Sequence, residues 1–276
     1  MNNKRLSLLI AIAYVLVFLF IQVLAEAGAL GVESLIQHKP VTQLDPVGTI
    51  ITAVIFTLAT IALFTWMKWA TISRDFLLTR PWSLLFWCLI AALGAIIPST
   101  FLQEQMPEWS DAIQKYIEQT AQQMVGIMNT PGGYAVICLL APIAEELVFR
   151  GAVLKKLLEW KPERRWLMIT LSALLFALAH MNPAQLLHPF LIGLLLGWMY
   201  ERTGSILPGI IYHWANNTVA YLLIRIYQDP DITITQIFGS QSRTLMAVGF
   251  SLLIFLPAIY QLNLRMKKKR EPYFNK

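Results

Sequence analysis

Apolar residues run along this chain in long unbroken stretches, not in the alternating or one-sided patterns of a water-soluble fold. At about 20 apolar residues per membrane crossing, eight stretches qualify: 6–25, 47–67, 82–101, 133–154, 166–181, 186–200, 206–226 and 245–264. The fifth and sixth are the shortest. The pattern predicts an all-α fold, a polytopic membrane helix bundle of about eight transmembrane helices forming a single integral membrane domain over 1–276. The first stretch follows Lys4 and Arg5 as a signal peptide would, but it reaches Ala25 without a cleavage-site pattern and is read as a retained span. Between the third and fourth stretches, Trp109, Ile113, Ile117, Met124 and Met128 recur at helical spacing behind the cap-like Ser110 and Asp111. That predicts an interfacial amphipathic helix on the outer leaflet, with a lid or substrate-contacting element as the alternative.

Composition agrees with the pattern. Hydrophobic residues make up 57% of the chain and charged residues 14%, little over half the charged share of a soluble domain. The 22 Lys+Arg against 16 Asp+Glu give a net charge of +6, but these charges sit mostly in short loops beside apolar runs. They are expected to orient the chain against anionic lipid and not to bind nucleic acid. Basic clusters fall at Lys4 and Arg5, at Lys68, Arg74 and Arg80, at 155–165, and at 265–270; acidic residues such as Glu26, Glu33, Glu104, Glu108 and Asp231 fall on the alternate side. The alternation places both termini in the cytoplasm, with the run at 267–270 as a juxtamembrane anchor. Cys88 and Cys138 lie inside apolar runs, with no CxxC or Cys/His spacing, and are expected to be packing residues.

Ionisable groups inside spans are costly, so each one is a functional lead. All five aspartates (Asp45, Asp75, Asp111, Asp229, Asp231) lie in loops, which removes a paired-aspartate intramembrane protease. No GxSxG or HExxH occurs. What remains is Glu145, Glu146 and Arg150 on the fourth span, His180 on the fifth, and His213 with Asn217 on the seventh. Counted from the nearest cytoplasmic basic residues, these lie roughly 15 to 22 Å deep, close enough in level to share a pocket. Glu146 and Arg150 are four apart and can pair, whereas Glu145 points about 100° away and is the freer carboxylate. Pro142 removes a backbone donor and can free a carbonyl beside the site. Phe176 and His180 share a face, as do His213 and Asn217, with Asn216 one position away. His38 and His188 fall in or near outer loops and receive no role.

These residues closely resemble the motifs of the CPBP family of CAAX proteases and bacteriocin-processing proteins, also called the Abi family. EExxxR stands as Glu145, Glu146 and Arg150 in APIAEELVFRG, FxxxH as Phe176 and His180 in FALAH, and HxxxN as His213 and Asn217 in HWANN. The resemblance implies an intramembrane endopeptidase of a bacterial plasma membrane, with a motif-bearing protease core over about 133–226. Its substrate would be a membrane-associated peptide or protein, prenylated and CAAX-type or bacteriocin-related. Oligomeric state is not legible.

A mechanism consistent with the residues and the resemblance uses Glu145 as general base, His180 to orient and polarise water, and His213 with Asn217 to stabilise the oxyanion. Glu146, Arg150 and Phe176 would support them structurally. The cofactor is either none or a divalent metal such as zinc, which Glu145, His180 and His213 could ligate with water in the fourth position. Two other classes stay open on the residues alone: a proton-coupled transporter, and a non-catalytic immunity or scaffold protein.

Overall fold

The computed structural model describes residues 3–71, 74–107, 109–183, 186–229 and 232–266. Glu108, Asp231 and the basic run at 267–270 lie outside the described residues. Among the described residues every regular element is a helix: α1 (Asn3–Gln37), α2 (Pro46–Trp66), α3 (Arg74–Leu78), α4 (Trp82–Glu104) and α5 (Asp111–Asn129) precede the motif region. Ala135–Leu140, Ala141–Glu146, Leu147–Leu154 and Lys155–Trp160 then succeed one another without a break and are taken together as α6. After a short 3-10 turn at Pro162–Arg164 come α7 (Arg165–Ala179), α8 (Leu187–Thr203), α9 (Leu207–Tyr227), α10 (Ile234–Phe238) and α11 (Gln241–Arg265).

Among the described residues four helices are long and apolar enough to cross a membrane: Leu6–Gln37, Pro46–Trp66, Trp82–Glu104 and Gln241–Arg265. Large apolar side chains on them, including Leu16, Phe20, Ile55 and Phe250, are exposed, as a lipid-facing surface requires. The remaining four predicted spans are helices of a different character. α6 and α9 carry the polar motif residues. α7 and α8 hold 15 and 17 residues, so they rise about 22 to 26 Å, less than the roughly 30 Å of a hydrocarbon core. The α7–α8 connection therefore lies nearer the level of the motif residues than a full-length pair would place it.

The first helix corrects the loop boundaries read from sequence. α1 continues through Gln37, so Glu26 and Glu33 stand on the helix itself and not in an outer loop. α2 begins where Asp45 accepts from the Gly48 amide at 2.7 Å and Pro46 occupies the first turn, a cap that satisfies one orphan donor and wastes none. Ser110 takes the predicted N-cap position of α5 without making a capping bond.

Two close approaches set the packing. A Cβ on Gly94 would meet the Phe255 backbone at 2.7 Å, so α4 and α11 touch nearly backbone to backbone, and Ser251 Oγ donates to the Gly94 carbonyl there at 3.0 Å. Gly193 and Gly197, four apart on α8, allow the same intimacy with Ala173 and Ile169 of α7. Small residues at such spacing are the usual device for packing helices in lipid, where no hydrophobic effect drives them together.

α5 does not lie apart from the bundle. Tyr116 Oη donates to the Met181 carbonyl at 3.1 Å, and Asn182 Nδ2 donates to Thr120 Oγ1 at 3.2 Å. At its other end Tyr221 Oη reaches the Met128 carbonyl at 2.9 Å and Arg225 reaches Asn129 Oδ1 at 2.6 Å. The helix is thus fastened to the α7–α8 connection at one end and to α9 at the other.

Candidate active site

α6 is irregular around the two glutamates. Ala135–Leu140 and Leu147–Leu154 are π-helical, flanking the Ala141–Glu146 turn that carries both glutamates. The Ala141 N–H closes the π-helix on the Val136 carbonyl, five residues back; in that register the Ile137 carbonyl would fall to residue 142, a proline with no N–H to give. Asn217 Nδ2 of α9 donates to that oxygen at 3.0 Å. The carbonyl expected to be freed by Pro142 is the one that ties the HxxxN helix to the EExxxR helix.

The adjacent glutamates have different environments. Glu146 is fully buried and pairs with Arg150 at 2.8 Å. Arg150 Nη2 reaches the Gly193 carbonyl at 3.4 Å, and its guanidinium lies 4.2 Å from the Phe176 ring centroid. One arginine therefore joins α6, α7 and α8 through an ion pair, a carbonyl and an aromatic face. Glu145 is 21% exposed, and its carboxylate lies 3.7 Å from His213 Nε2. His213 Nδ1 stands 3.6 Å from Glu146 Oε1, so each ring nitrogen faces one of the two carboxylates. Glu146 comes close to α9 because residue 209 is glycine: a Cβ there would overlap the Glu146 carboxylate. Gly209→Ala is expected to lower stability by about 1 to 3 kcal/mol through overpacking and to reduce activity with it, read as an earlier melt in detergent.

Phe176 organises the imidazoles. Its ring meets His180 edge-on at 4.8 Å and His213 at 5.8 Å. The Phe176 carbonyl lies 2.9 Å from His180 Nδ1. A carbonyl only accepts, so Nδ1 carries a proton, and in the neutral tautomer that contact leaves a lone pair on Nε2.

Glu145, Phe176, His180, His213 and Asn217 line one cavity of about 430 Å³. Glu146 and Arg150 stand behind its wall. Among the described residues no three His, Cys, Asp or Glu side chains converge closely enough to hold a metal ion. Glu145, His180 and His213 do not fit a shared zinc in this arrangement, so no step below runs through one.

The cavity also holds groups that sequence reasoning left aside. α4 carries no motif, yet Thr100 and Gln103 line the wall, as do Met124 and Met128 of α5. The two methionines bring the amphipathic helix onto the cavity, which is the contact expected of a substrate-facing element. His188, placed near an outer loop from sequence, also borders the cavity. The shortness of α7 and α8 is the signal that could have found it.

Residues 128–219 match the family model described as type II CAAX prenyl endopeptidase, Rce1-like. The match covers all three motifs and bears out the CPBP resemblance. The matched family is a family of proteases. No curated protein and no solved structure matches the chain.

Proposed function

We propose that this protein is an intramembrane endopeptidase that hydrolyses a peptide bond of a membrane-associated substrate of the prenylated CAAX class. The observation that carries this reading is the single cavity on which Glu145, His180, His213 and Asn217 converge from α6, α9 and the end of α7. The match at residues 128–219 favours it over a transporter or a non-catalytic scaffold. In this reading the chain is one integral membrane domain in which all eight apolar segments enter the bilayer, both termini are cytoplasmic, and 133–226 forms the protease core.

The chemistry follows from the protonation each contact allows. Water sits between Glu145 and the His180 Nε2 lone pair. Glu145 takes its proton as the oxygen attacks the scissile carbonyl carbon. His213 and the second Asn217 N–H, the first being held by Ile137, donate to the oxyanion; one such donor is worth about 2.7 to 4 kcal/mol in other hydrolases. The tetrahedral species collapses with cleavage of the C–N bond, and Glu145 returns the proton to the departing amine. A new carboxylate and a new amine result.

The test is mass spectrometry of products from purified protein in liposomes, offered a farnesylated peptide ending in a CAAX sequence and its unlipidated counterpart. Release of the terminal tripeptide from the farnesylated peptide is expected, with less or none from the other. Equal cleavage of both would remove the prenyl requirement, and cleavage of neither would remove the substrate class.

A further inference from the structure

Among the described lining residues, His188 is the ionisable one that the mechanism leaves unused. It stands in the first turn of α8, just before Pro189, and its backbone N–H donates to Gln103 Oε1 of α4 at 3.0 Å. Its side chain faces Asn216 of α9 within hydrogen-bonding reach. Asn216 Nδ2 in turn donates to Asn217 Oδ1 at 3.3 Å. With its amide nitrogen turned toward Asn217, Asn216 offers its carbonyl oxygen to the His188 N–H. A neutral imidazole that donates through one nitrogen accepts through the other.

The cavity wall that includes His188 is mostly apolar, with a few polar groups set among residues such as Ile96, Pro189 and Ile192. Thr100, Gln103, Asn216, Asn217 and the imidazoles supply its hydrogen-bonding groups, and among the described residues Glu145 is the sole carboxylate of the lining, which contains no Lys or Arg. Such a wall suits a neutral partner better than a charged side chain or a free carboxylate, because a buried charge without a counter-charge is costly. An extended peptide entering the cavity must satisfy its backbone N–H groups there or lose the water that satisfied them outside.

We infer that His188, held by Gln103 and Asn216, is a substrate-binding residue that accepts a hydrogen bond from a backbone N–H of the peptide. This rests on the peptidase reading for the identity of the ligand. Binding would follow a chain from His188 through Asn216 and Asn217 to the Ile137 carbonyl, so occupancy of this subsite is coupled to the residue that holds α9 against α6.

The probe is a fluorescent farnesylated peptide ending in a CAAX sequence. Its Kd is measured on Glu145→Gln protein with and without His188→Ala, and KM and kcat are measured on the protein with Glu145 intact. His188→Ala is expected to raise Kd and KM about tenfold, the loss of one hydrogen bond, with kcat changed less than about twofold. His188→Gln, which keeps an acceptor, should recover most of the affinity. Ester analogues of the peptide, in which oxygen replaces one backbone N–H at a time, separate contact from scaffolding. The His188→Ala penalty should vanish for one analogue and persist for the others. His188→Phe replaces the alanine variant if the smaller side chain destabilises the fold.

Unchanged Kd and KM, a fall in kcat alone, or the same penalty for every ester would overturn the inference. Wild type that cleaves normally while His188→Ala keeps both constants removes His188 and leaves the peptidase. Wild type that never cleaves, while His188→Ala weakens binding, does the reverse.

Discussion

Glu145→Gln is expected to lower kcat by about 10²- to 10⁴-fold, the usual worth of a positioned general base, while leaving the melting temperature close to wild type. The asymmetry follows from where Glu145 stands. Its carboxylate lines the cavity at 21% exposure and faces His213 Nε2 at 3.7 Å, whereas the close ion pair of Arg150 is made with Glu146. Glutamine is isosteric, so packing is kept and only the capacity to take a proton is lost. Single-turnover rates in liposomes, paired with melts in detergent, measure both halves. A parallel loss of stability would mean that Glu145 holds the fold and that its chemical role has been misassigned.

Arg150→Ala should give the opposite profile, with a stability loss of about 3 to 5 kcal/mol, because it leaves a fully buried carboxylate without its partner. Glu146 is 0% exposed and Arg150 1%, so water cannot replace the lost guanidinium. The Gly193 carbonyl and the Phe176 face lose the same contact, which loosens α6 from both α7 and α8. Replacing both members with apolar residues, as in Glu146→Leu with Arg150→Met, is expected to recover much of that stability, since the cost lies in the unpaired charge and not in the absence of the pair. A normal melt for Arg150→Ala with activity lost would move Arg150 into the chemistry.

The difference between these two variants was legible in the sequence, and the reason is geometric. Residues four apart share a helix face and residues one apart do not, so Glu146 and Arg150 separate from Glu145 before any coordinates are seen. The freed carbonyl near Pro142 was legible for the same reason, although its identity as Ile137 depends on the π-helical turn that shifts hydrogen bonding by one residue. His188 was not legible. It lies between Leu187 and Pro189 with no polar residue four positions away in either direction, so it makes no pattern. Its place in the cavity depends on α7 and α8 being too short to carry their connection out of the site. The walls supplied by Thr100, Gln103, Met124 and Met128 were hidden likewise, because tertiary contact and not spacing brings α4 and α5 to the motif helices. α1 outran its predicted end at Ala25 because Glu26 and Glu33 close an apolar stretch without ending a helix.

The measurement that bears most directly on the central claim is a single-turnover cleavage of the farnesylated peptide in H₂¹⁸O by wild type and Glu145→Gln protein, with products weighed by mass spectrometry. Direct attack by water activated at Glu145 predicts one ¹⁸O in the new carboxylate of the wild-type product and a rate about 100-fold or more lower for folded Glu145→Gln. A new carboxylate without the label, or a folded Glu145→Gln protein cleaving at the wild-type rate, would contradict it.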